Sequence, residues 1–301
     1  MHLLIPFAAP SSDTGRQALA ALRLPGLEAL LAELAPAARD EGDEQSLSPP
    51  HERALAREIG LAAADGSFPW GAREAALAGL DPDDRAWGVL TPVHWRVEAD
   101  GVRLAPPEDL ALDETASRAL FHAMQPVLEA EGATVAWRSP LAWLIAHPVL
   151  DGLATASLDR AIGRPVEPWL PEVGFVRRVQ LEVQMLLHAH PVNAEREARG
   201  LLPVNSVWLS GCGRHQAEQR APAVEVDDRL RAPALAGDWG AWMEAWRTLD
   251  AGPLQALQGR QASLTLCGER NAQRFEPRGG WWQRMTRGLR RADAAAVLGS
   301  L

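Results

Sequence analysis

The chain has 301 residues, 47% of them hydrophobic, and a formal net charge of -9. That length allows one large domain or two smaller ones, and an ordinary charged fraction of 23% excludes disorder as a global description. All 30 basic residues are Arg, so Schiff-base lysines and P-loop lysines are excluded; the absence of Tyr removes tyrosine acid catalysis, and the acidic balance argues against a nucleic-acid partner.

Leu3 to Ala8 reads as a buried opening strand. Asp13 or Thr14 is the expected cap of the helical stretch that follows, which Pro25-Gly26 divides into Gln17–Leu24 and Leu27–Leu34. Arg39 to Pro50 reads as a polar, acidic loop, and His51–Gly60 and Ala72–Leu80 as helices. Trp87–Val97 and Val102–Leu104 are expected strands, joined through the hairpin signal Asp100-Gly101. Asp113 caps a helix to Glu131, and Thr134–Trp137 pairs with Leu141–Ala146. Val176, Val179, Val183 and Leu186 have helical spacing within Phe175–Leu187, and Gly200 stops a short helix over Asn193–Arg199. Val204–Leu209 is a strand running into a turn at Ser210-Gly211-Cys212-Gly213. Trp239, Trp242, Trp246 and Leu249 mark another helix, Ala262–Cys267 a last strand and Gly280–Leu289 a last helix. Strands alternating with helices give an α/β class. The strand pairs near 84–150 suggest an α+β insert in a core made of 1–83 and 151–301.

The richest chemistry lies around the Gly-x-Gly turn. Gly211 and Gly213 permit close approach of a bound group, and Arg214 can grip an anion. The alternative is a tight structural turn. Cys212 near His215 is a nucleophile candidate against the commoner reading of a buried Cys. His188 and His190 are too close in sequence to share a helix face, so His190 is read as a helix-end residue rather than a metal ligand. His51, followed by Glu52 and Arg53, is a candidate general base at a helix start; Glu269 and Arg270 follow the last strand and are candidates for the same cleft as Arg214. Each of these sets also reads as charges exposed to water. Arg278, Arg284, Arg287, Arg290 and Arg291, interleaved with Trp281 and Trp282, form a basic amphipathic stretch that either docks a partner or packs on its own domain. Two cysteines cannot make a disulfide framework or a four-Cys zinc site. No targeting or membrane-spanning segment stands out, and the expectation is a reduced, cytoplasmic protein.

The stretch His190-Pro191-Val192-Asn193, Arg196, Arg199-Gly200-Leu201-Leu202-Pro203, Asn205 and Gly211-Cys212-Gly213 resembles the archaeal-type cofactor-independent phosphoglycerate mutases of the alkaline phosphatase superfamily. Taken with the opening segment and Pro49-Pro50-His51-Glu52-Arg53, the chain looks closest to the regulatory RpfE-type family, whose members often carry the mutase label. The resemblance implies an alkaline phosphatase-like sheet flanked by helices, shortened, with a smaller α+β insert. The mutases need two metals and a serine nucleophile. Here Ile5-Pro6-Phe7-Ala8-Ala9-Pro10 carries no carboxylate, Pro49-Pro50-His51-Glu52 stands in place of Gly-Ser-Asp, and their later Asp-x-x-Gly-His and Lys have no counterpart after Cys267. The expectation is therefore a regulatory or small-anion-binding protein with no metal and no cofactor. Its expected ligand residues are Asn193, Asn205, Ser210, Gly211, Gly213, Arg214, Glu269 and Arg270, with His51 as the catalytic candidate. The alternatives are a mutase-like enzyme and a partner-docking module acting through the Trp/Arg segment.

Overall fold

In the computed structural model, residues 1–99, 101–218, 224–278 and 293–301 are described, and the chain divides into two units. One comprises Met1–Gly60 and Glu218–Leu301, the other Leu61–Ala217. The segment 84–150 expected as an insert lies inside the second unit, which is longer at both ends. The expected helix over Gly280–Leu289 lies outside the described residues.

The first unit opens with β1 (His2–Ile5), a run of four buried residues. Leu3 and Ile5 point to one core and Leu4 to another, the period-two signature of a strand covered on both faces. Helix α1 (Asp13–Ala21) is capped not by Asp13 or Thr14 but by Ser12, whose Oγ accepts from the Gly15 N–H at 3.1 Å. Helix α2 (Pro25–Glu33) uses Pro25 in its first turn, where a missing N–H costs nothing. The acidic loop is shorter than expected, because Leu34–Asp40 forms strand β2 before it. Helix α3 (Pro50–Ile59) ends at Gly60 in a left-handed conformation, φ 79°.

The second unit contains α4 (Trp70–Leu77), β3 (Ala86–Val93), β4 (Trp95–Glu98), β5 (Gly101–Leu104), α5 (Glu114–Ala130), β6 (Thr134–Ser139), β7 (Ala142–Ala146), α6 (Leu158–Ala161), α7 (Gly174–His188), α8 (Pro191–Ala198) and β8 (Ser206–Arg214). Its main sheet has the order β6-β7-β3-β8 and is antiparallel throughout. Leu90, Trp143, Ile145 and Val207 share a core with Phe121 and Met124 of α5 and Val179 and Val183 of α7. Ala72 and Ala75 of α4 pack with Trp87 and Leu144 in a separate cluster. Strands β4 and β5 form their own two-stranded ribbon.

The chain then returns to the first unit with β9 (Val224–Val226), α9 (Arg231–Leu235), α10 (Trp239–Leu249), α11 (Gln255–Leu257), β10 (Ser263–Cys267), β11 (Ala272–Pro277) and a closing helix over Ala294–Gly299. The sheet order is β2-β11-β10-β1-β9. Strands β10, β1 and β9 are parallel, and β11 and β2 run antiparallel to their neighbours. Trp242 and Trp246 of α10 are fully buried in the core that also takes Leu27 and Leu30 of α2, while Ala54 of α3 packs with Leu4 and Cys267 in the other cluster. A mixed sheet flanked by helices is the α/β class expected. No helix among the described residues is long and apolar enough to cross a membrane.

Candidate functional site

In the first unit the parallel strands β1, β9 and β10 end at one edge of the sheet, the position where open α/β folds leave a crevice. The loop after β1 is held tightly there. Phe7 adopts a left-handed conformation, φ 55°. The Trp242 indole N–H donates to the Phe7 carbonyl at 3.0 Å, the Trp246 indole to the Ala8 carbonyl at 3.2 Å, and the Ala8 N–H to the Cys267 carbonyl at 2.7 Å. His51, in the first turn of α3, sets its ring 5.3 Å from that of Phe7. Arg53 is committed to architecture: its guanidinium reaches Asp40 at 2.9 Å and the carbonyls of Ser48 at 2.5 Å and Arg270 at 2.9 Å.

Beside this loop lies a polar cleft of about 270 Å³, with Ser11 and Arg16 on one side, Glu269, Arg270 and Asn271 on another, and residues 298–301 along it. Ser11 Oγ donates to the Glu269 carboxylate, which also receives the Ser11 N–H at 3.4 Å. Arg16 reaches the Ser11 carbonyl and Asp13. Arg270 meets Glu44 at 3.5 Å across an exposed pair, an arrangement that solvent weakens. The Ser11 hydroxyl is spent on Glu269, the Arg16 guanidinium on Ser11 and Asp13, and the Asn271 amide donates to the Ser300 carbonyl at 3.3 Å, so the exposed Arg270 guanidinium is the group of this cleft that an anion can most readily reach.

The other expected residues lie in the second unit. Asn193 is buried and spends its amide on the Leu187 and Val204 carbonyls, at 2.8 and 2.7 Å, and on the Val204 N–H at 2.9 Å. Asn205 accepts from the Trp95 N–H at 2.7 Å and donates to the Trp95 carbonyl at 2.9 Å. The turn expected at Ser210 to Gly213 is instead strand. Strand β8 continues to Arg214, and Ser210 pairs with Val89. A bulge sets Gly211 and Cys212 against Gly88 alone, since the register moves from Val89↔Ser210 to Trp87↔Gly213. Gly211 and Gly213 do admit a close neighbour, but it is this chain's own Pro69 and Trp70. A Cβ on Gly211 would stand 2.8 Å from the Trp70 Cβ, and one on Gly213 3.0 Å from the Pro69 Cβ. Both glycines have positive φ, 64° and 154°. Arg214 is half-exposed at the strand end, with Nε and Nη2 each 2.9 Å from Asp151 Oδ2 and Nη1 on the Asp84 carbonyl. Because this sheet is antiparallel, the crevice rule for parallel strands does not extend to Arg214.

Burial pushes the Cys212 thiol up to about 12, with a smaller opposing effect from its bond to Thr155, so a thiolate nucleophile is not available there. His190 caps α8, its side chain accepting from the Val192 N–H at 3.3 Å. This is the helix-end role expected of it, at the N-terminus of α8. The basic stretch containing Arg284, Arg287, Arg290 and Arg291 lies outside the described residues.

Glu269 and Arg270, expected to share a cleft with Arg214, instead line this cleft of the first unit together with Ser11, Arg16 and Asn271, for which the sequence reading gives no expectation, and Arg214 is not among its lining residues. The signal for Ser11 was present: it follows β1, the other parallel strand ending at that edge. Among the described residues, no three His, Cys, Asp or Glu side chains are grouped to share a metal ion.

The fold and this cleft define an α/β protein with a polar crevice at the carboxyl edge of a mixed sheet. No family model matches the chain, and no curated protein matches it. Among solved structures it is similar to the cofactor-independent phosphoglycerate mutase from Thermoplasma acidophilum DSM 1728, at 16% identity over 92% of this chain and 90% of that one, with a TM-score of 0.39. It is also similar to the PH0037 protein from Pyrococcus horikoshii, at 13% identity over 98% of this chain and 91% of that one, with a TM-score of 0.48.

Proposed function

We propose that this chain is a phosphoglycerate mutase-like protein that binds a small phosphate- or carboxylate-bearing anion without turning it over, and that it acts as a regulatory protein in the reducing cytoplasm. The observation that carries this reading is the cleft formed by Ser11, Arg16, Glu269, Arg270 and Asn271 where the parallel strands end. An incoming anion would compete with Glu44 for the exposed Arg270 guanidinium. The mutases require two divalent metals, and the donors here do not fit them. The loop after β1 offers Phe7, Ala8 and Ala9. Both Asp227 oxygens are engaged by Arg229, at 2.7 and 2.8 Å, and Glu269 is bonded to Ser11. No metal-dependent step is therefore assigned. The two free, buried thiols are in keeping with a reducing compartment.

Calorimetric titration with 3-phosphoglycerate and with inorganic phosphate tests the binding, and a mutase assay with Mn²⁺ tests the silence. The expected result is saturable binding to at least one anion, weakened about tenfold or more by Arg270→Gln, with no interconversion of 2- and 3-phosphoglycerate. Turnover abolished by His51→Ala would establish an enzyme instead.

A further inference from the structure

A second site, independent of the anion cleft, lies within the second unit beside the β4–β5 ribbon. In this antiparallel pair the residues alternate between facing the partner strand and facing away. The Ala105 N–H donates to the His94 carbonyl at 3.0 Å, so His94, Arg96 and Glu98 turn their backbone groups toward β5. Trp95 and Val97 turn theirs outward. The far edge of β5 is closed, because the carbonyls of Val102 and Leu104 accept from the Val166 and Gly163 N–H groups, each at 2.9 Å. The far edge of β4 is closed only at Trp95, where the Asn205 amide supplies both an acceptor and a donor as a neighbouring strand would. At Val97, 87% exposed, no described group takes the outward N–H or carbonyl.

This open edge borders a groove of about 690 Å³ between Trp95, Val97 and Val102 on the ribbon and Met185 and His188 on α7. Leu181 and Met185 are 61% and 75% exposed, and with His188 they share one face of α7 at spacings of four and three. The buried Trp95 indole N–H has no hydrogen-bond partner. Glu197, at the groove wall, is exposed and makes no ion pair among the described residues.

We propose that this groove receives an extended segment of a partner protein, paired backbone to backbone with Val97. An extended chain is the occupant that offers a carbonyl and an N–H as Asn205 already does two residues earlier, at Trp95. Its inward side chain is apolar and sits between Val97 and Met185, and a flanking Arg or Lys faces Glu197. Alternation along the strand places the apolar and basic positions on the same face, two residues apart.

A printed array of random peptides, roughly nine residues long, probed with the whole labelled protein tests this, followed by fluorescence polarisation on the peptides it selects. The selected peptides are expected to share an apolar residue two positions from Arg or Lys. Val97→Pro removes the outward N–H without touching the β4–β5 ladder, since Pro is tolerated at an outward edge position. It is expected to weaken binding about tenfold or more at an unchanged melting temperature, and Met185→Asp to do the same. Equal binding by wild type and both variants, or a selected set without that pattern, would overturn the proposal. So would concentration-dependent dimerisation that is lost in Val97→Pro, which assigns the edge to a second copy of this chain.

Discussion

Ser117 carries more of the second unit than a single hydroxyl usually does. It is fully buried, donates to the Pro140 carbonyl at 2.9 Å, and accepts the indole N–H groups of Trp137 and Trp143 at 3.0 and 3.1 Å. Ser117→Ala leaves two donors unpaired, and a loss of about 2 kcal/mol in urea unfolding is expected; an unchanged midpoint would mean the indoles find other acceptors. His2 is a second buried polar residue, bonded to Thr265 at 2.8 Å and facing Glu58 at 3.1 Å. Burial holds its pKa below the ordinary 6.5; Glu58 opposes the shift and Arg274 adds to it. His147, stacked on Phe175 at 4.1 Å, is lowered by burial too. A group with a depressed histidine pKa contributes in full above 6.5, and the contribution is lost as pH falls through 6.5 toward the folded value. The melting temperature should therefore drop between about pH 7 and pH 5, and less steeply in the His2→Gln, His147→Gln double variant; parallel profiles would contradict this. The residues that carried the mutase resemblance have a related character. His190, Asn193, Arg196 and Asn205 all spend polar atoms on backbone groups, Arg196 on the carbonyls of Leu202 and Leu110. The resemblance singles these residues out, but which backbone atoms they hold depends on contacts the sequence does not display, such as that of Arg196 with Leu110.

Strand β8 shows why a strand end is hard to read from sequence. Ser210-Gly211-Cys212-Gly213 has turn composition, yet both glycines lie inside the strand because α4 and the residues before it press on that stretch. The same contact fixes Gly71, where an added Cβ would fall 2.5 Å from the Gly88 Cα, backbone against backbone. Neither side can yield by rotating a side chain. Gly71→Ala is expected to cost about 3 kcal/mol in urea unfolding, and a neutral effect would show that α4 is not seated this closely. Strands β2, β9 and β11 were missed for other reasons. Leu34–Asp40 contains Pro36 and no β-branched residue, and is tolerated as an edge strand. Val224–Val226 is only three residues long. Ala272–Pro277 lacks β-branched residues and is strand because it lies between β10 and β2. The amphipathic helices, by contrast, were legible from periodicity. Helix α7 was expected over Phe175–Leu187 and spans Gly174–His188, and the Trp242/Trp246 face of α10 is buried as its spacing required.

The two units use different sheet grammars, and the proposed anion site follows from that difference. The first unit has parallel strands ending at a common edge; the main sheet of the second is antiparallel, and its glycine-rich stretch is filled by the chain itself. Sequence patterns gave the α/β class and pointed to both the Glu269-Arg270 loop and the Arg214 end of β8. They could not separate the two, because strand direction depends on pairings between residues as distant as His2 and Ser263. The proposed anion site therefore lies in the first unit. The most direct test is a two-dimensional amide NMR titration of the whole chain with inorganic phosphate. The predicted result is saturable shifts at Ser11 and at Glu269, Arg270 and Asn271, with Ser210 to Arg214 unmoved. Shifts concentrated at Ser210 to Arg214, with the cleft residues silent, would contradict it.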